Sequence, residues 1–216
     1  MRKILSFILP TILLLGIVVT GVYRITRTNE LWDYLAFNMD IIVVSVMVLW
    51  LLFELWVSFR DKEKEKQVTD YGTRELYGFS QSITILSALW FDSQWTSPSI
   101  YHLVGFGLLI CGISFRFWAI QTLGKYYSHI VRTVDHHKII DTGPYRYLRH
   151  PAYAGMLMAL CGTCIFYCNI VSVLIILTLL LPSIILRIWI EERTLFSLDG
   201  YPAYAENRKR LIPYVW

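Results

Sequence analysis

His137-Lys-Ile-Ile-Asp-Thr-Gly-Pro-Tyr-Arg-Tyr-Leu-Arg-His-Pro-Ala-Tyr-Ala-Gly155 is the most polar long segment that sits between two apolar runs of this chain. It ends where a membrane helix is expected to begin. Pro151 suits a first helical position, because its missing N–H would have no intrahelical partner there anyway. Arg149 and His150 then stand at the positive end of that helix, where an anion is favoured. Past Pro151, Tyr153 and Leu157 are four apart and share one face. The segment therefore gathers an Arg, a His and a Tyr around the mouth of one helix. An anchor at the lipid surface would use the same residue types, so composition alone does not separate anchor from site.

Outward from this stretch the chain is apolar. Hydrophobic residues make up 56% of its 216 residues and charged residues 17%, which excludes an ordinary soluble domain. Runs long enough to cross a bilayer occur at 4–22, 41–59, 100–120 and 170–190. Two weaker runs lie at 76–91 and 151–168, the first carrying Gln81 and several Ser and Thr. Together they predict an all-α, polytopic membrane protein of about six transmembrane helices. The run at 76–91 spans only by thinning the bilayer or borrowing flanking residues. The first run is too long for a signal-peptide core and reads as a retained helix.

Charge orients the chain. With the N-terminus in the cytoplasm, sixteen basic residues fall inside and only Arg24 and Arg27 outside, a strong positive-inside bias. The net charge of +4 is thus explained by topology and anionic lipid, with no nucleic acid required. Both termini and the 137–155 stretch are expected at the cytoplasmic face.

No metal is expected. Cys161-x-x-Cys164 has no second ligand pair at a suitable spacing, and His129, Asp135, His136 and His137 are sequence neighbours that seldom converge on one ion. Cys111, Cys161, Cys164 and Cys168 all fall in predicted spans and read as small apolar residues. Gly105, Gly107 and Gly112 lack a dinucleotide-binding context and read as helix-packing positions.

Arg116 lies within the fourth span, where a charge is costly and usually faces a cavity or partner, although near the end it could snorkel to water. Arg187 lies in the sixth span, with Glu191 one turn on. The fifth and sixth runs are joined at Asn169 by a tight hairpin. This brings Arg149-His150-Pro151 beside Glu191-Glu192. Cations on one wall and carboxylates on the other suit a zwitterion, and Tyr145, Tyr147, Tyr153, Tyr201 and Tyr204 could cover a flat ring or a sulfonium. A ligand of this description is an amino acid carrying an adenosyl group. Residues 195–216 are too short and polar to span. They form a basic, aromatic helical tail that could cover the loop as a cytoplasmic lid.

The order His137-x-Ile-Ile-x-x-Gly143-Pro-Tyr145-Arg-x-x-Arg149-His150-Pro151-x-Tyr153-x-Gly155 resembles the isoprenylcysteine carboxyl methyltransferase family. So do Glu191-Glu192, Tyr201-x-x-Tyr204 and Arg210-Leu-Ile-Pro213. The shorter Arg-His-Pro-x-Tyr-x-Gly pattern is shared with phospholipid N-methyltransferases and, more distantly, sterol and steroid reductases. The resemblance implies a membrane methyltransferase using S-adenosylmethionine. In it His137, Ile140, Gly143, Tyr145, Arg149, His150, Tyr153, Glu191 and Glu192 hold the cofactor. Arg116 or Arg187 would orient an acidic substrate as the catalytic pair. Residues 100–216 would be the methyltransferase core, and residues 1–99 the lipid-facing helices 1–3, which carry no transferable motif. The expected acceptor is a lipophilic carboxylate entering from the bilayer. The alternatives are phospholipid N-methylation, methylation of a small thiol or other lipid, an NADPH-dependent sterol or steroid reductase, and a non-catalytic scaffold.

Overall fold

A computed structural model describes residues 2–26, 33–62, 72–91, 99–127 and 139–216. The helices are α1 (Arg2–Thr26), α2 (Asp33–Lys62), α3 (Thr73–Trp90), α4 (Ile100–Leu123), α5 (Pro151–Tyr167), α6 (Ile170–Ile175), α7 (Leu181–Leu195) and α8 (Tyr201–Glu206). A π-helical turn, Ile176–Leu180, joins α6 to α7, so Ile170–Leu195 is one rod. Pro182 accounts for the wide turn. It has no N–H for the Thr178 carbonyl four residues back, and its ring would collide with that carbonyl in a regular helix. The Thr178 hydroxyl instead bonds the Leu174 carbonyl at 2.7 Å.

Each of the six apolar runs read from the sequence falls on a helical rod, those at 76–91 and 151–168 ending one residue past it. Among the described residues, three segments are long and apolar enough to cross a membrane: Met39–Val57, Ile100–Leu123 and Ile170–Leu195. Thr11–Tyr23 and Pro151–Tyr167 are shorter apolar helices. The remaining rod, α3, is the most polar, yet it is packed against α1, α5, α6 and α7. Its hydroxyls explain how. Ser80, Ser82, Thr84 and Ser87 each donate to a carbonyl three or four residues back in α3 itself, which satisfies them without water. Ser87 Oγ also lies 3.0 Å from Ser172 Oγ, from which it can accept, and Asn169 Nδ2 donates to the Ser87 carbonyl at 3.2 Å. Asn169 Oδ1 meanwhile accepts from the N–H groups of Val171 and Ser172. One residue thus caps α6, closes the α5–α6 hairpin and ties it to α3.

α4 and α5 approach most closely. A Cβ on Gly105 would lie 2.5 Å from the Phe166 nitrogen, and one on Gly162 2.5 Å from the Leu109 nitrogen. Seven residues along each helix, a Cβ on Gly155 would lie 2.7 Å from the Arg116 nitrogen, and one on Gly112 2.7 Å from the Gly155 carbonyl. Small residues allow backbones to touch in this way. Gly107 faces open space and plays no part. The consequence for the site is positional, because Gly155 seats the backbone of Arg116 directly against the first turns of α5.

Candidate active site

The N-terminal end of α5 and the C-terminal end of α7 meet as the hairpin requires. Arg149 Nη1 donates to Glu192 Oε1 at 2.7 Å, and His150 Nε2 lies 3.3 Å from the same oxygen. The Tyr153 hydroxyl donates to Glu191 Oε2 at 2.9 Å. Pro151 is the first residue of α5. The anion beside this helix start is the protein's own Glu192, which is 3% exposed.

A third strand of chain closes this junction. The N–H groups of Arg149 and His150 donate to the carbonyls of Lys209 and Arg210 at 2.8 and 3.0 Å, with Leu148 and Lys209 forming a parallel bridge. Arg210 Nε donates to Glu192 Oε2 at 2.8 Å. The Tyr204 hydroxyl donates to the carbonyls of Tyr145 and Leu148 at 2.9 and 3.3 Å, while Arg208 stacks over its ring, Cζ 4.3 Å from the centroid. Burial pushes the Tyr204 phenol up to about 12 and the Tyr145 phenol well above its ordinary value, so both stay protonated donors at neutral pH.

A cleft opens beside this junction and extends in among the helices. It holds about 1050 Å³ of empty space, its open mouth included. Of the residues singled out from the sequence, Ile140, Tyr145, Arg149, His150, Tyr153, Glu191, Arg116 and Arg187 line it. Gly143 and Glu192 do not border it. Gly143 sits at φ +57°, where a Cβ would meet Thr122 Oγ1 at 3.1 Å, so it shapes the turn leading to Tyr145. Glu192 acts behind the wall, holding Arg149, His150 and Arg210. His137 lies outside the described residues, as do His129, Asp135 and His136.

The deep end of the cleft holds the two arginines of the apolar rods, Arg116 and Arg187. Arg116 is 2% exposed and does not snorkel. Its Nε and Nη2 grip both carboxylate oxygens of Glu54 on α2. Its Nη1 donates to the Ala152 carbonyl at 2.9 Å, and Nη2 reaches the Tyr127 hydroxyl at 3.4 Å. Arg187 Nε donates to the Tyr153 hydroxyl at 2.8 Å, which in turn donates to Glu191. Arg187 and Glu191 are thus linked through a tyrosine, a relay that spacing along one helix does not reveal.

Sequence reasoning missed Glu54, Tyr77, Tyr127 and Arg74. The last three line the cleft, and Glu54 grips one of its arginines. Glu54 did carry a signal. It is an acid inside a 19-residue apolar segment, and such a charge calls for a partner.

Comparison with known proteins shows which family this region is similar to. Residues 103–197 match the model of the isoprenylcysteine carboxyl methyltransferase (ICMT) family. The matched segment contains the 143–155 stretch and the glutamate pair, on which the resemblance was read, together with Arg116 and Arg187, while Tyr201, Tyr204 and Arg210–Pro213, which also carried it, lie beyond its end. Protein-S-isoprenylcysteine O-methyltransferase B of Arabidopsis thaliana is 32% identical over 115 residues, covering 51% of this chain and 58% of that protein. The Schizosaccharomyces pombe protein-S-isoprenylcysteine O-methyltransferase is 35% identical over 116 residues, covering 52% and 48%. The chain thus spans about half to three-fifths of the length of these relatives. A solved structure of the eukaryotic intramembrane Ras methyltransferase ICMT superposes with a TM-score of 0.50 at 18% identity, over 99% of this chain and 94% of that one. The fold outside the ICMT segment is therefore shared as well, and it is that of an integral membrane protein.

Proposed function

We propose that this chain is a membrane methyltransferase that moves a methyl group from S-adenosylmethionine to an acidic oxygen of a lipophilic molecule, an isoprenylcysteine carboxylate first of all. The observation that carries the reading is the single cleft joining the Arg149–Glu191 end to the buried Arg116–Arg187 end. The chemistry of the lining fits such a donor. Glu191 offers a carboxylate to an ammonium, Arg149 a guanidinium to a carboxylate, and Tyr126, Tyr127, Tyr145, Tyr153 and Tyr201 offer rings to an adenine or a sulfonium. When bound, the donor supplies a sulfonium methyl group, so that a C–O bond forms as a C–S bond breaks and the electron pair remains on sulfur.

The chain's residues have three tasks in this scheme. Arg149, Glu191 and the tyrosines hold the donor, and Glu192 keeps Arg149 and His150 in register for it. Arg116 and Arg187 orient the acceptor. The 201–216 tail acts as a lid that excludes water. A carboxylate acceptor is already ionised at neutral pH and needs no general base, so alignment and dryness are the main contributions. Residues 100–216 form the catalytic core, and residues 1–99 complete its deep wall through Glu54 and Tyr77, with six spans and both termini in the cytoplasm.

Membranes containing the protein, given methyl-deuterated S-adenosylmethionine and analysed by mass spectrometry, test the reading. Label is expected in a base-labile ester of a lipophilic acid. Label in phosphatidylethanolamine-derived amines would replace this acceptor with the phospholipid alternative. Absence of label from every lipid and prenylated protein would overturn the proposal.

A further inference from the structure

The Tyr77 hydroxyl is buried and has no hydrogen-bond partner among the described residues. The residue is 7% exposed, lines the deep end of the cleft and comes from α3, outside the ICMT segment. Most buried polar groups are paired, so an orphaned hydroxyl in a cleft wall calls for an explanation. The neighbours supply one. The ring packs edge-on against Tyr153 with centroids 5.7 Å apart, and Arg187 Cζ lies 6.0 Å from its centroid. The charges acting most strongly on the hydroxyl are those of Arg116, Glu54 and Arg187.

The two guanidiniums are already engaged. Arg116 spends Nε and Nη2 on Glu54 and Nη1 on the Ala152 carbonyl. Arg187 spends Nε on Tyr153 and reaches Thr73 Oγ1 with Nη1 at 3.4 Å. An acidic oxygen arriving between them finds a favourable field and one buried donor in want of an acceptor. We infer that Tyr77 is a binding residue for the methyl acceptor, its hydroxyl donating to the anionic oxygen while Arg116 and Arg187 flank it. The inference rests on the proposed function for the identity of that anion as the acceptor. It gives α3, the polar helix at the centre of the bundle, a reason to be there. α3 brings a hydroxyl to the spot where α4 and α7 bring charge.

Tyr77→Phe removes only the hydroxyl, and the test is direct binding to the purified protein in detergent. Two ligands are compared, an S-prenylated N-acylcysteine and the alcohol obtained by reducing its carboxyl group. The variant should bind the acid roughly tenfold more weakly, as expected for a lost hydrogen bond to a charged group, and the alcohol with a much smaller change. Its melting temperature should stay level or rise, since a desolvated, unpaired hydroxyl has gone, and S-adenosylhomocysteine should bind as in the wild type. Equal weakening of acid and alcohol, a fall in melting temperature, or no change for the acid would overturn the inference, as would failure of the wild type to bind the acid. If the acid binds as described while S-adenosylhomocysteine does not bind the wild type, the anion subsite stands and the methyltransferase reading falls.

Discussion

Two arginine–glutamate clusters face the same cleft from opposite ends. In the deep cluster, Arg116 and Glu54 have side chains 2% and 12% exposed and stand 62 residues apart in sequence. In the outer cluster, Glu192 is 4% exposed, but its partners Arg149 and Arg210 are 13% and 30% exposed. The deep pair has no water to fall back on if one member is lost. The outer one has two cations close to solvent. The deep pair therefore joins the N-terminal helices to the core, while the outer cluster holds three chain segments in register at the cleft mouth.

The largest expected effect follows from that contrast. Glu54→Ala leaves Arg116 charged and unpaired inside the bundle and should cost about 3–5 kcal/mol of stability. Adding Arg116→Met should restore much of it, and a double-mutant cycle in detergent would check both. A loss under about 1 kcal/mol for Glu54→Ala would mean that the deep pair is not what couples the two halves.

Glu192→Gln should cost less, about 2 kcal/mol, because Arg149 and Arg210 can turn to water. A cost equal to that of Glu54→Ala would erase the distinction between the clusters. Gly155→Ala tests how Arg116 is placed. The new methyl would stand 2.7 Å from the Arg116 nitrogen, so the helices must part at a cost of about 1–3 kcal/mol. Methyl transfer should fall more than cofactor affinity, since the acceptor end is the end that moves.

The smallest effect belongs to the tail. Tyr204→Phe loses the hydrogen bonds to the Tyr145 and Leu148 carbonyls, about 1 kcal/mol. The phenol is raised above its unfolded value, to about 12, so its contribution is fully present below pH 10 and is lost as pH rises through 12. The stability gap between wild type and Tyr204→Phe should therefore narrow over that interval. A gap that stays constant would show that the hydroxyl does not hold the tail in place.

The outer cluster was legible in the sequence because its parts are local. Pro151 marks a helix start, Asn169 a hairpin, and the distance from 151 to 191 matches two rods laid side by side. The deep cluster was legible only in part. Arg116 and Arg187 stood out as charges in apolar runs, but nothing in a one-dimensional pattern pairs position 116 with position 54. Tyr77 gave still less, since an aromatic near the end of a short, polar run reads as an interface residue. What distinguishes it, a hydroxyl without a partner between two guanidiniums, exists only after four helices have packed. The six rods were visible from hydropathy. That the weakest of them is central was not, because its hydroxyls count as polar in a hydropathy sum and yet are satisfied by their own helix.

The claim on which the rest depends is that the meeting point of α5 and α7 seats the donor. Isothermal titration of the purified protein with S-adenosylhomocysteine tests it most directly. The account predicts one saturable site in the wild type, weakened in both Glu192→Gln and His150→Ala while helical content is retained. No binding by a folded wild type, or undiminished binding in both variants, would contradict it.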